Sequence, residues 1–141
     1  MKYYVDTSVI IAALTPEAAT SKVQQWLGER LPGELAMSGW AITEVSSALA
    51  IKVRTGALTL ENRADVLAAW HRLIDESFLM ETVKARHFEM AAYFADRHDL
   101  GLRSGDTLHL AIAADRGLPL ATLDKRLAEA GPLLGTPTLL L

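Results

Sequence analysis

The chain has 141 residues, half of them apolar, which suits one compact domain over residues 1–141 with a single core. It contains no cysteine, so disulfides, thiolate metal sites and a cysteine nucleophile are excluded. The formal charge is −3, from 14 basic and 17 acidic residues, without the basic stripe typical of nucleic-acid binders. No apolar run approaches the roughly 18 residues of a membrane helix, so we expect a cytoplasmic protein without a membrane partner.

The first half of the chain predicts two strands and four helices. A strand over residues 2–5 leads into an apolar helix over 6–14, and a second helix covers 17–30, beyond Pro16. A strand over 34–38 then precedes the helix that carries Glu44 and ends near Gly56. Thr59 has the chemistry of an N-cap for the next helix, which runs to about residue 75.

The second half continues the alternation. It predicts a strand over 78–83, a helix over 84–98, a turn at 99–101, a helix over 107–116, a strand over 118–122, a helix from Asp124 to Gly131-Pro132, and an edge strand over 137–141. There is no internal repeat and no linker. The sequence therefore predicts an α/β fold, with a mainly parallel central sheet flanked by helices.

Glu44 is the residue that least fits its surroundings. At the helical period it shares a stripe with four apolar residues, namely Trp40, Ala41, Ala48 and Ile51. A second apolar stripe on this helix comprises Ile42, Val45, Leu49 and Val53. The pattern predicts a buried acid, which needs a partner. Two alternatives are a buried salt bridge to an arginine such as Arg103, and a slightly rotated helix that exposes the carboxylate.

Three other acids lie where α/β folds collect ligand groups, at strand ends and at the starts of helices. Asp6 follows the first strand and Asp124 follows the strand over 118–122, and either is equally well explained as an N-cap. Asp106 shares its helical row with Leu110 and Ala113, which favours an interior position. The sequence favours equally this interior position of Asp106 and a role in the first turn of its helix, where the helix dipole stabilises an acid.

Together the four acids predict a metal site. Carboxylates that converge without basic partners repel one another, and a divalent cation is the simplest group that holds them together. Mg²⁺, with Mn²⁺ as the alternative, prefers such hard oxygen ligands and promotes phosphoryl transfer without a protein nucleophile. Hydroxyls at Thr7, Ser8 and Thr122 adjoin the acids and can position a carboxylate or a water, or serve as local caps.

The other catalytic signatures are absent, and the histidines add little. The sequence has no nucleophile elbow, no phosphate-binding loop with lysine, no dinucleotide fingerprint and no His-Glu-x-x-His run. His109 follows Asp106 by three residues, a spacing at which an acid and a histidine can share a metal. We favour a packed helix residue with one ring nitrogen bonded. We expect the other three histidines at the surface or at an interface, namely His71, His87 and His98.

Four segments resemble the acidic motifs of PIN-domain ribonucleases, and within that family those of VapC toxins of bacterial type II toxin–antitoxin pairs. They are Tyr-Tyr-Val-Asp-Thr-Ser-Val-Ile at 3–10, Glu44 with Val-Ser-Ser-Ala-Leu after it, Ser-Gly-Asp-Thr-Leu-His-Leu-Ala at 104–111, and Ala-Thr-Leu-Asp-Lys-Arg-Leu at 121–127. The resemblance implies that metal-binding, catalytic acids stand at four positions, namely Asp6, Glu44, Asp106 and Asp124. It also implies that Thr7 or Ser8 supports the first of them.

The same resemblance implies a parallel sheet between helices, a homodimer, cleavage of RNA, and a small VapB antitoxin that blocks the site with a basic side chain. Proximity makes Arg103, Lys125 and Arg126 the candidates for contact with RNA.

Two competing functions come from other classes. A PIN-like module can bind RNA or protein without turnover. A phosphoacceptor receiver domain also clusters acids around Mg²⁺, but it needs an acidic pair after the first strand, where this chain has Thr7-Ser8 after Asp6.

Overall fold

The computed structural model describes all 141 residues, in five strands and seven helices. The strands are β1 (Tyr3–Val5), β2 (Leu35–Ser38), β3 (Leu79–Glu81), β4 (Leu120–Thr122) and β5 (Thr138–Leu140). The helices are α1 (Thr7–Leu14), α2 (Thr20–Gly28), α3 (Gly39–Arg54), α4 (Leu60–Ser77), α5 (Ala85–Ala95), α6 (Ser104–Asp115) and α7 (Lys125–Leu133). A 3₁₀ turn over His98–Leu100 links α5 to α6.

All strand pairs are parallel, and the strand order is β3-β2-β1-β4-β5. The predicted α/β fold with a parallel central sheet is therefore confirmed. The chain steps from β1 out to β3 on one side and then crosses to β4 on the other. Strand order reverses between β1 and β4, where a crevice opens at the carboxyl ends of parallel strands. Asp6 directly follows β1, and Asp124 is the second residue after β4.

Two apolar cores cover the two faces of the sheet. Side chains alternate along a strand, so the neighbours Val5 and Tyr4 of β1 face opposite ways. Val5 packs in the core built with α1, α3 and α4, whereas Tyr4 packs in the core built with α5, α6 and α7. Both side chains are fully buried, which makes β1 the centre of the molecule.

Helix α3 is rotated relative to the prediction. Its buried face consists of Ala41, Val45 and Leu49, while Ile42 and Ile51 are 45% and 48% exposed. The prediction that Glu44 lies within a buried apolar stripe is wrong, because its side chain keeps 28% exposure at the border of that face. Burial of an unmatched carboxylate costs more free energy than exposure of an isoleucine, which explains the rotation.

Several element ends differ from the prediction. The helix predicted over 84–98 ends at Ala95, and the one predicted to begin at 107 begins at Ser104. Pro132 was expected to end α7, yet the helix continues to Leu133. Proline lacks the N–H that would bond to the carbonyl four residues earlier. That carbonyl, of Ala128, instead accepts a 2.6 Å hydrogen bond from the hydroxyl of Thr138 in β5.

His87 is also misplaced by the prediction, since it is 1% exposed. Its Nδ1 accepts a hydrogen bond from the backbone N–H of Lys84, and its Nε2 lies 2.8 Å from Asp115. This buried histidine belongs to a group of paired charges at the carboxyl end of α6, called the arginine cluster below. Its members are Glu81, Arg86, His87, Asp115 and Arg116. No helix combines the length and the hydropathy needed to cross a bilayer.

Candidate acidic site

A cleft of about 670 Å³ lies at the crevice between β1 and β4 and brings all four predicted acids together. Its charged lining consists of five carboxylates and one cation, namely Asp6, Glu17, Glu44, Asp106, Asp124 and Arg103. Glu17 was not singled out from the sequence, and its carboxylate is paired with Lys52 at 3.1 Å. None of the other four acids pairs with a lysine or an arginine, and the one basic side chain near them is the buried His109, beside Glu44 and Asp6.

Asp6 occupies the N-cap position of α1 without capping the helix through its side chain. Its Oδ2 accepts two hydrogen bonds of 2.7 Å, from the hydroxyls of Ser8 and Thr122. Ser8 in turn accepts a bond from the backbone N–H of Leu123. Asp6 is therefore at the N-cap position, as the alternative predicted, but its carboxylate is not used for capping. The two hydroxyls fix this 5% exposed carboxylate and leave Oδ1 without a hydrogen bond.

Asp124 has two roles. Its Oδ1 accepts bonds of 2.9 and 3.2 Å from the backbone N–H groups of Arg126 and Leu127, which confirms the capping interpretation. Its Oδ2 accepts no hydrogen bond, and the residue also lines the cleft. A carboxylate has two oxygens, so the cap orients the group and one oxygen remains for a ligand.

Glu44 is bound by neighbours that the sequence did not suggest. Its Oε1 accepts a 2.8 Å hydrogen bond from the Thr7 hydroxyl and contacts Nε2 of His109. The alternative of a salt bridge to Arg103 is wrong. Partial burial alone would raise the pKa of Glu44, but the hydrogen bond and charge of His109, together with the Thr7 hydroxyl, outweigh it and lower the pKa.

Asp106 lies in the first turn of α6 and is half-buried. Burial, followed by the negative charges of Asp6 and Asp124, raises the pKa of Asp106 above its ordinary value. Both causes, burial and the neighbouring carboxylates, disfavour the charged form of Asp106.

His109 is fully buried, and both of its ring nitrogens have partners. Nδ1 lies 2.8 Å from the hydroxyl of Tyr4, while Nε2 contacts Glu44 and lies 3.2 Å from the Thr7 hydroxyl. The expectation of a single bonded nitrogen is wrong. Burial lowers the pKa of His109, but the hydrogen bond to Glu44 and the charges of Asp6, Glu44 and Asp106 raise it above its ordinary value overall.

The three basic residues chosen from the sequence lie in different places. Arg103 lines the cleft and is exposed. Lys125 and Arg126 are outside the lining: the Lys125 side chain is 80% exposed beside Glu129, and Arg126 donates a 3.2 Å hydrogen bond to the Gly101 carbonyl. Ser47 of α3 also lines the cleft, and no sequence pattern marked it.

These features define a small α/β domain with an acidic cleft at the switch point of a parallel sheet. A family profile described as PIN domain matches residues 3–132. The chain therefore belongs to the PIN domain family.

Solved structures similar to this chain include one described as a toxin and one described as a toxin–antitoxin system. VapC20 of Mycobacterium tuberculosis, described as a Sarcin-Ricin loop cleaving toxin, is 23% identical with a TM-score of 0.73, over 92% of this chain and 95% of that one. FitAcB from Neisseria gonorrhoeae is 20% identical with a TM-score of 0.68, over 96% and 95%. VapBC-5 of Mycobacterium tuberculosis, a toxin–antitoxin system, is 25% identical with a TM-score of 0.65, over 99% and 98%. No curated protein sequence matches the chain significantly.

Proposed function

We propose that this chain is a Mg²⁺- or Mn²⁺-dependent endoribonuclease, the toxin of a VapBC-type toxin–antitoxin pair. One observation carries the proposal: Asp6, Glu44, Asp106 and Asp124 come from distant parts of the chain, line one cleft, and lack lysine or arginine partners. Membership of the PIN domain family supports it, as does the similarity to a toxin described as cleaving the Sarcin-Ricin loop.

The donor set fits a hard divalent cation. Free oxygens remain on Asp6 and Asp124, and burial together with its acidic neighbours raises the pKa of Asp106. No three His, Asp or Glu side chains already converge closely enough to hold a metal ion. Mg²⁺ does not require such a cage, because it usually keeps several waters and binds through one or two carboxylates.

When bound, such an ion polarises the phosphoryl group and lowers the pKa of an attacking water. The chain's own residues supply position and charge. Ser8 and Thr122 fix Asp6, the first turn of α7 fixes Asp124, and Arg103 is the single cation in the lining that can contact a phosphate. Lys125 and Arg126, beside the cleft, are proposed as further RNA contacts.

The proposal includes two protein partners. An excess of carboxylates in the cleft is complementary to a basic side chain of a VapB-like antitoxin, and electrostatic complementarity favours fast and specific association. A homodimer is proposed because VapC toxins, which this chain resembles, commonly dimerise. Light scattering on the purified protein, alone and with antitoxin, measures both assemblies.

The test is cleavage of bulk cellular RNA by antitoxin-free protein. We expect cleavage with Mg²⁺ or Mn²⁺, none with EDTA, and a loss of at least about 100-fold in Asp6→Asn, because loss of even an outer partner of a metal ligand costs 10–100-fold. Asp115→Asn, in the arginine cluster, is the matched control and should cleave normally.

Equal cleavage by Asp6→Asn and the wild type would identify a contaminating nuclease. RNA binding with neither cleavage nor Mn²⁺ uptake by the wild type would instead establish the PIN-like binding module.

A further inference from the structure

Tyr4 places a hydroxyl deep inside the second core. The side chain is fully buried, and its hydroxyl donates a 2.9 Å hydrogen bond to Oγ of Ser38, which is also fully buried. The same hydroxyl lies 2.8 Å from Nδ1 of His109. A phenylalanine would fill this space without the cost of burying a hydroxyl, so the core itself does not require the oxygen.

The other nitrogen of His109 meets the cleft. An ionised carboxylate can only accept hydrogen bonds, so contact with Oε1 of Glu44 requires the proton on Nε2. The Tyr4 hydroxyl has one proton and donates it to Ser38, so its oxygen accepts a hydrogen bond from an N–H at Nδ1 of His109. The ring then carries a proton on each nitrogen, and the partners of the two N–H groups fix its orientation. Ser38, Tyr4, His109 and Glu44 thus form one continuous chain of polar contacts, from the end of β2 to the cleft.

We propose that Tyr4 and Ser38 are positioning residues, which orient the His109 ring so that its Nε2 N–H fixes the Glu44 carboxylate at the wall of the cleft. Glu44 has no arginine or lysine to orient it, so this chain of contacts and the Thr7 hydroxyl are what hold Oε1. The inference rests on the proposed function at one point, because the proposed function assigns the Glu44 carboxylate to metal binding.

The test removes single hydroxyls. Tyr4→Phe and Ser38→Ala each delete one atom of the chain of contacts. Tyr3→Phe is the matched control on the same strand, because its ring packs against Trp26 at 5.2 Å and lies outside the cleft. Thermal unfolding identifies any variant that does not fold, and Ser38→Ala keeps the test decisive should Tyr4→Phe fail to fold.

The first readout needs no metal and no activity. In metal-free protein, NMR of the histidine rings and of the ¹³C-labelled glutamate carboxyls reports on His109 and Glu44 directly. We expect the Glu44 carboxyl signal to move in Tyr4→Phe and, by less, in Ser38→Ala, while Tyr3→Phe leaves it in place. An unmoved Glu44 signal in both hydroxyl deletions would overturn the proposal.

The second readout is Mn²⁺ affinity by calorimetry. Tyr4→Phe should bind Mn²⁺ about tenfold more weakly, the usual cost of losing an outer partner of a ligand, and Tyr3→Phe should match the wild type. In a Glu44→Gln background the effect of Tyr4→Phe should largely vanish, because the two changes act through one carboxylate. Full additivity would contradict the positioning role. If the wild type took up no Mn²⁺, only the proposed metal binding would be contradicted. The NMR readout would still test the positioning role of Tyr4 and Ser38.

Discussion

Helix α6 contributes one residue to each of two pairs of a buried histidine and a carboxylate, His109 from its middle and Asp115 from its carboxyl end. At the cleft, His109 contacts Glu44, and in the arginine cluster His87 lies 2.8 Å from Asp115. The histidines are 0% and 1% exposed, so burial does not separate the two regions. What separates them is the charge that surrounds each carboxylate.

In the arginine cluster every acid has a guanidinium partner. Arg86 binds Asp115 through two hydrogen bonds, of 3.2 and 2.8 Å, and Arg116 pairs with Glu81. The Arg86 bonds, with help from His87, hold the pKa of Asp115 far below its usual range. The cleft acids lack such partners, and the pKa of Asp106 is raised. Similar residue types are therefore neutralised internally in the arginine cluster, whereas the proposed function assigns the carboxylates of the cleft to an external cation.

The largest expected difference is in RNA cleavage. Asp106→Asn should reduce metal-dependent cleavage by at least about 100-fold, because it removes a metal ligand, whereas Asp115→Asn should stay within about twofold of the wild type. Initial rates on one RNA with saturating Mn²⁺ measure both. Comparable losses in the two variants would mean that the two regions do not differ in function.

The next expected difference is in stability. Asp115→Ala leaves Nε2 of buried His87 unpaired and should lower the free energy of unfolding by about 1–3 kcal/mol. Asp106→Ala should leave it unchanged or raise it, because it removes repulsion from the metal-free cleft. Urea unfolding in EDTA gives both free energies of unfolding. Destabilisation by Asp106→Ala would contradict net repulsion between Asp106 and the other carboxylates of the cleft.

A smaller effect is expected at Gly105, where α6 approaches α3. A Cβ there would lie 2.9 Å from Oε2 of Glu44 and 3.2 Å from Nε1 of Trp40. Gly105→Ala should therefore displace the carboxylate and weaken Mn²⁺ binding about tenfold, with little loss of stability, since the end of a glutamate side chain can move. Gly28→Ala, with open space around its Cβ, is the control. Wild-type affinity in Gly105→Ala would show that Glu44 does not contribute to the metal site.

The smallest effect is a pH dependence of opposite sign in the two regions. The raised pKa of Asp106 means that the folded state binds its proton more tightly, so stability falls as pH rises above the ordinary value of about 3.9. The lowered pKa of Asp115 contributes stability that is present above this value and is lost as pH falls below it. The measurement is the melting temperature against pH, in EDTA, of the wild type, Asp106→Asn and Asp115→Asn. Asp106→Asn should lose the decrease in stability with rising pH, and Asp115→Asn should lose the decrease with falling pH. Parallel curves for all three proteins would refute the assignment.

The sequence predicted the strands, the parallel fold and the acids that meet in the cleft, because those features have local or periodic signatures. Alternation of apolar segments marks β1 and β4, and an acid after each marks the crevice between them. The hydroxyls of Ser8 and Thr122 were marked by adjacency, and the structure places both on Asp6.

The partners of Glu44 were not predictable in the same way. Contact with His109 spans 65 residues and depends on the rotation of α3, which the sequence offered only as an alternative. Tyr4 looked like an ordinary strand residue, although its position two residues before Asp6 puts both on one side of β1. Glu17 was assigned to the helix predicted over 17–30, but α2 begins at Thr20, so Glu17 lies between two helices.

The strand order also sets when the acidic cleft can form during synthesis. Strand β1 is synthesised first, but its neighbour β4 comes much later. Asp124 follows Asp6 by 118 positions in the sequence. At ribosomal speeds of 5–20 residues per second, roughly 6–24 s pass between the two acids. A chain that ends before β4 therefore lacks Asp124 and with it the second wall of the cleft.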